Sequence, residues 1–293
     1  MDADIRDAKF QFSSDWPTLE QLNANLLVDN SLMVISAQQG QLGHLTLDHD
    51  VVAQIPLDQK NTSLQLGISP KSLALADFHQ LIELSPLEGM IGDVFDFVRL
   101  DGQSQAQVDI KIPLGDASGE VIVAGQVKTD SASLSMPSLN LDFHNTSALV
   151  SFHNDKFEVA ADTASLFGLP VSFQVKGGDL SEGYEIDADL IANWSKGQID
   201  QLYPLPINTH FDGETTTSVK VKVNIEQDEY HYFVFGKSDL TQASYDIAQP
   251  IVKPKGQFGT LSWSVTGDNL GNEILANLDD SVYFNGLIPA GTG

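Results

Sequence analysis

Residues 218–226 read SVKVKVNIE, and the reading of that stretch decides the fold class. Val219, Val221, Val223 and Ile225 alternate with Lys220, Lys222 and Asn224. Successive side chains of a strand point to opposite faces, so this order makes one dry face and one wet face. Wound into a helix, the same residues would be spread around the circumference and leave no apolar stripe to bury.

The alternation extends in both directions. Ala24, Leu26 and Val28 share one parity, as do Leu64, Leu66 and Ile68, then Val108, Ile110 and Ile112, then Val121, Val123 and Val127. Further on come Leu139, Leu141 and Phe143, then Phe157, Val159 and Ala161, then Val171, Phe173 and Val175. Tyr184, Ile186, Ala188 and Leu190 alternate with Glu185, Asp187 and Asp189. Between the runs lie HNDK (153–156), KGGDLSEG (176–183) and EQDE (226–229), rich in residues that tight turns use. The expectation is a mainly β chain whose antiparallel strands form one long sheet. A weak repeat agrees with it: NSLMVISAQQGQLG at 30–43 resembles DKFEVAADTASLFG at 155–168. Pro204, Pro206, Pro250 and Pro254 interrupt the strands locally, and no stretch has the composition of an interdomain linker.

One region departs from period two. Residues 72–84 and 86–98 have helical spacing, and in the second Leu87, Met90, Ile91, Val94, Phe95 and Val98 fall on one stripe opposite Glu88, Asp93 and Asp96. Pro86 stands at its start, where a missing N–H costs little. The expectation is a short helical insertion near 70–98, either a cover over one sheet face or a plug over a cavity.

Composition narrows the function. The 293 residues include 15 Lys and Arg against 40 Asp and Glu, a formal charge of −25, which would repel a nucleic-acid backbone and anionic lipid headgroups. Apolar residues make up 42%, ample for a core, yet no run approaches the eighteen or so apolar residues of a membrane-spanning helix. With no Cys there are no disulfides, thiolate nucleophiles or Cys-based zinc sites. The opening MDADIRDAK lacks the basic start and apolar core of a signal peptide, so the sequence is expected to be an internal segment of a longer protein.

Catalytic signatures are missing. There is no G-x-S-x-G elbow, phosphate-binding loop, H-E-x-x-H or G-x-G-x-x-G, and the seven His have no metal-ligand spacing. Glu185, Asp187 and Asp189 put three carboxylates on one strand face, a candidate calcium site or, more simply, a solvated face. Asn61, Asn145 and Asn193 open N-x-S/T triplets, and Trp16, Trp194 and Trp263 are too dispersed for a sugar platform. No enzyme, no cofactor and no metal is expected.

Residues 16–57, WPTLEQLNANLLVDNSLMVISAQQGQLGHLTLDHDVVAQIPL, are more specific. Trp16-Pro17 is followed by Leu19, Leu22, Ala24 and Leu26, a turn, Leu32, Ile35 and Ala37, then Gly40, Leu42, Ala53, Ile55 and Pro56. This order resembles the AsmA-like proteins of the YhdP type from the Gram-negative envelope, and Ser85-Pro86-Leu87 and Ile112-Pro113-Leu114 fit the same pattern. The match divides the chain into 1–115, an AsmA-like segment with the helical insertion, and 116–293, a continuing β segment. The resemblance implies a curved, twisted sheet with an open hydrophobic groove that shields phospholipid acyl chains between inner and outer membranes. It also implies a periplasmic location, with an inner-membrane anchor elsewhere in the full-length protein. The groove would be lined by the apolar parity of each strand: Leu26, Leu66, Ile110, Val123, Leu141, Val159, Phe173, Ile186, Val221 and Val223. The rival reading is a closed β-sandwich or β-solenoid adhesion module, whose apolar faces would be packed by protein.

Overall fold

The computed structural model describes residues 1–11, 16–43, 45–48, 51–58, 62–85, 88, 98–114, 119–137, 141–180, 183–202, 210–226, 229–268 and 270–289. The chain forms two compact units, Met1–Phe157 and Glu158–Gly293. Both are mainly β, and every described strand pairing is antiparallel, as the alternation requires.

The first unit carries β1 (Asp2–Phe10), β2 (Leu19–Asp29), β3 (Leu32–Leu42), β4 (Leu45–Leu47), β5 (Val51–Pro56), β6 (Ser63–Ile68), β7 (Leu73–Ala74), α1 (Leu75–Glu83), β8 (Arg99–Asp101), β9 (Gln103–Pro113), β10 (Ile122–Met136) and β11 (Leu141–His153). Its main ladder runs β1–β2–β3–β5–β6–β9–β10–β11, and among the described residues β1 is paired on one side only, so the sheet is open. Asn30 closes the β2–β3 hairpin with φ 49°, a left-handed conformation that Asn tolerates. Helix α1 begins at Leu75, after β7 has paired with β9, and buries Leu75 and Ile82 among Leu42, Leu45, Leu47 and Leu73. It covers one end of the sheet and is part of the core. The second expected helix falls on residues that, apart from Glu88 and Val98, lie outside the described ones.

The second unit holds, from Glu158 onward, β12 (Lys156–Leu166), β13 (Leu169–Leu180), β14 (Gly183–Ser195), α2 (Lys196–Leu202), β15 (Phe211–Glu226), β16 (Glu229–Asp239), β17 (Ala243–Ala248), β18 (Ile251–Lys253), β19 (Thr260–Asp268), β20 (Gly271–Leu278) and β21 (Val282–Pro289). Strands β13–β14–β15–β16–β19–β20–β21 pair in that order, again leaving an open ladder. Helix α2 lies outside the expected 70–98 region. It is started by a reciprocal cap, in which the Ser195 N–H donates to Gln198 Oε1 at 2.8 Å and the Gln198 N–H donates to Ser195 Oγ at 3.5 Å.

The β17–β18 hairpin pairs with residues 211–213 of β15 and is pinned by a buried cation. Lys253, 2% exposed, donates from Nζ to the carbonyls of Leu240 at 2.6 Å, Ala243 at 2.7 Å and Pro254 at 3.3 Å. Three backbone acceptors replace the water that the ammonium gives up. Beside it, Tyr245 donates to Asp279 Oδ2, and burial first, then that carboxylate, pushes the Tyr245 hydroxyl up to about 12.

Candidate functional site

Residues opposite each other in an antiparallel ladder share a face, so the register turns parity into surfaces. In the second unit one cross-strand row reads Val175, Ala188, Val221, Val234, Val265, Ile274 and Gly286. The flanking row on one side is Phe173, Leu190, Val219, Gly236, Trp263, Ala276 and Phe284. On the other side Gly177, Ile186, Val223, Tyr232, Gly267, Asn272 and Ile288 follow. Six positions of the central row, Val175 to Ile274, are apolar and only half-buried. Apart from β12, the described elements of this unit outside the ladder, α2 and the β17–β18 hairpin, sit at its Ser195–Phe211 end. Among the described residues of this unit, no protein layer lies upon the middle of the face, which is an apolar strip.

Two aromatic rings lie flat on this strip because glycines sit beneath them. A Cβ placed on Gly236 would stand 2.1 Å from Trp263 Cε2, and one on Gly267 would stand 2.5 Å from Tyr232 Cζ. Each glycine is the register partner of its aromatic residue. The rings therefore cover backbone across the strand instead of standing upright.

In the first unit the equivalent row is Ala3, Leu26, Ile35, Ala53, Leu66, Ile110 and Val123. Ile110 and Val123 are each 3% exposed and belong to the core, whereas Leu26, Ile35, Ala53 and Leu66 are half-buried. The sequence-predicted residues thus fall into two sets. Leu26, Leu66, Ile110 and Val123 share one row; Phe173, Ile186, Val221 and Val223 share one face, with Ile186 and Val223 directly paired. Leu141, half-buried, pairs with Met136 beyond two register shifts, and Val159 is half-buried on β12. Sequence reasoning missed Val265, which carries the same alternation, and Val234 and Ile274, whose apolar neighbours Phe233, Phe235 and Leu275 blur it; it also missed the aromatic–glycine pairs, whose signal exists only once the register is known.

Across β14–β15 the opposite face of the second unit is wet, whereas on β16, β20 and β21 it also carries exposed Phe233, Leu275 and Tyr283. Asp189 faces Lys220 and Asp187 faces Lys222 across β14–β15, with ion pairs from Lys220 to Asp189 at 3.5 Å and from Lys222 to Glu185 at 2.7 Å. The hydrogen bond and charge of Glu185 raise the Lys222 ammonium above its ordinary value. The three carboxylates singled out in the sequence therefore lie on a solvated, ion-paired face. Among the described residues no three His or acidic side chains converge as metal ligands. A depression of about 460 Å³ lies beside Phe235, Leu275 and Tyr283 of the opposite parity and also borders Trp263, Ala276 and Phe284 of the strip's flanking row. Among the described residues no helix is long and apolar enough to cross a membrane.

Polar side chains bound the strip at both ends. Near α2, Trp194 Nε1 donates to Thr217 Oγ1 at 2.9 Å, and Thr217 and Ser238 hydroxyls share a 2.7 Å bond. At the far end Tyr230 stacks on Tyr232, and Tyr232 donates to Asn272 Oδ1. Burial above all, then the neighbouring Tyr230 and Asp268, raises the Tyr232 hydroxyl above its ordinary value and keeps it a neutral donor.

No solved structure gives a significant match to this chain. The curated protein "Intermembrane phospholipid transporter YhdP" of Escherichia coli (strain K12) is 25% identical over 287 residues, covering 96% of the chain. The chain spans only 22% of that relative's length. The model of the family described as "YhdP protein" matches residues 1–293. Matched from its first residue to its last, the chain belongs to the YhdP protein family.

Proposed function

We propose that this chain is one segment of a bridge-like lipid-transfer protein, whose apolar face shields phospholipid acyl chains on their way between the inner and outer membranes. The whole protein would act in the periplasm, anchored in the inner membrane by another part of its chain, and would move lipid without covalent chemistry. The observation that carries this reading is the half-exposed row Val175–Ala188–Val221–Val234–Val265–Ile274, apolar throughout and left without a covering layer in its unit. The similarity to a protein named as a phospholipid transporter supports it.

The physics sets the scale. A buried CH₂ is worth about 0.8 kcal/mol, so a sixteen-carbon chain held in water costs on the order of 12 kcal/mol. A continuous apolar strip removes most of that barrier at each step. A closed sandwich would need a second sheet over Val221, and the paired strands of the second unit form one ladder and a terminal hairpin.

The test is photo-crosslinking in cells, with a photoreactive residue at Val221 or Val234 on the strip and at Lys220 or Asp187 on the wet face; Phe173, 8% exposed, is too buried to serve. Lipid adducts are expected at the first pair and not at the second. Equal labelling of both faces would refute the one-sided strip.

A further inference from the structure

The two polar ends of the strip differ in what they leave unused. Near α2 the donors are consumed: Thr217 and Ser238 are 3% and 2% exposed and bond one another, with Trp194 donating to Thr217. At the other end donors are left over. Tyr230 is 37% exposed, stacks on Tyr232 with ring centroids 6.2 Å apart, and has no hydrogen bond from its hydroxyl among the described residues. The Tyr232 hydroxyl donates to Asn272 Oδ1, which fixes the orientation of that amide. Asn272 Nδ2 is thereby left as a donor without a partner among the described residues. Gly267 makes this arrangement reachable, since a Cβ there would stand 2.2 Å from Asn272 Oδ1.

A hydroxyl and an amide at the end of an apolar strip complement a molecule with a hydrocarbon portion that ends in acceptor oxygens. Tyrosine suits such a boundary, having an apolar ring and a polar tip. No Lys or Arg belongs to the strip's rows at this end. Lys176 and Lys222 stand in the wet row with Asp187 and Phe233. Recognition there is by hydrogen bonds and not by cationic charge. Along β15, Ile225, the register partner of Tyr230, lies eight residues (225 − 217) from Thr217, which is roughly 26 Å of strand. That length accommodates an extended acyl chain laid beside Val219, Val221 and Val223.

We propose that Tyr230, Tyr232 and Asn272 form a docking end for the glycerol-ester and phosphate oxygens of a phospholipid whose acyl chains lie on the strip. The proposal rests on the acyl-shielding reading above and adds to it a fixed register for the lipid.

The experiment uses the full chain with a photoreactive residue at Val221, so that only lipid on this strip is counted. The probes are dipalmitoyl phosphatidylethanolamine, its diether analogue and hexadecane. Tyr230→Phe/Tyr232→Phe/Asn272→Leu deletes the donors, the Tyr232 hydroxyl included because removing Asn272 would otherwise free it, and keeps the rings and the bulk. Half-saturation by the diester phospholipid is expected to rise about tenfold, with hexadecane capture unchanged. Tyr230→Phe alone, at an exposed hydroxyl, should give a smaller shift in the same direction. If the diether lipid shows the same loss, the phosphate is the acceptor; if it binds both proteins alike, the ester carbonyls are. Unchanged capture of the diester phospholipid by the triple variant overturns the docking end while leaving the strip intact. A wild-type chain that captures neither hexadecane nor phospholipid overturns the acyl-shielding reading itself.

Discussion

Val123 and Val221 occupy matching positions, each on the apolar parity of a long strand, yet Val123 is 3% exposed within the core and Val221 is half-buried on an uncovered strip. Substituting Asp at each therefore separates a packed face from an open one. Fully burying a valine is worth about 1.5–3 kcal/mol. Val123→Asp forfeits that and leaves a carboxyl against Ile110 without a partner, for a total of about 4–5 kcal/mol. Val221→Asp forfeits only part of the transfer energy, and its carboxylate stays hydrated through the open side. Adding a lower strand propensity, the cost is about 1–2 kcal/mol. With a urea slope of about 2 kcal/mol/M, the midpoint of the affected unit should fall by roughly 2 M for Val123→Asp and by less than about 1 M for Val221→Asp. Urea titration of the full chain, followed by far-ultraviolet dichroism, reads both. Equal midpoint losses would mean that Val221 is packed by protein, and the open-strip argument would fail.

Gly236→Ala would set a Cβ 2.1 Å from Trp263 Cε2, against the roughly 3.5–4.0 Å of an ordinary carbon contact, so the ring must lift off the sheet. A stability loss of about 1–3 kcal/mol, a shift in Trp emission and weaker lipid capture at Val221 are expected; unchanged emission would contradict the flat-ring geometry. Tyr245 has its hydroxyl raised from 10.0 to about 12, so the folded state holds that proton more tightly than the unfolded state. The stability it contributes is complete below pH 10 and is lost as the pH rises from 10 towards 12. Tyr245→Phe should flatten the fall in stability over that window, and identical slopes for the two proteins would dismiss the Asp279 contact as a source of stability.

The strands were legible because apolar and polar residues alternate over stretches such as 219–225, and a period of two matches the pleat of a strand and not the turn of a helix. Face membership followed from the same pattern, which is why Leu26, Leu66, Ile110 and Val123 emerge in one row. Whether a face is covered is another matter. Val123 stands between Ile122 and Ala124 and Val221 between Lys220 and Lys222, and it is the placement of α1, Trp16, Leu42, Leu45, Leu47 and Val51 that makes one end of the first unit a core. Helix α2 was missed because KGQIDQL has too few apolar residues to show a stripe, although Ser195 and Gln198 carried the spacing of a capping box. Pairings such as Gly236 with Trp263 join residues 27 positions apart (263 − 236), and no local pattern encodes that register.

The flat rings have a mechanical consequence. Trp263 and Tyr232 are held down by their register partners, and around them in the second unit stand mainly Val and Ile. β-Branched side chains are confined at χ1, and a ring lying on backbone has little freedom to turn. Such a wall cannot mould itself to a guest as a methionine-rich surface can. Its corrugation is fixed, so on the proposed function a chain sliding over it would meet the same relief at every pass and wait for no rotamer to flip. What the wall gives up is the ability to tell one hydrocarbon tail from another by induced fit; what it gains is low friction.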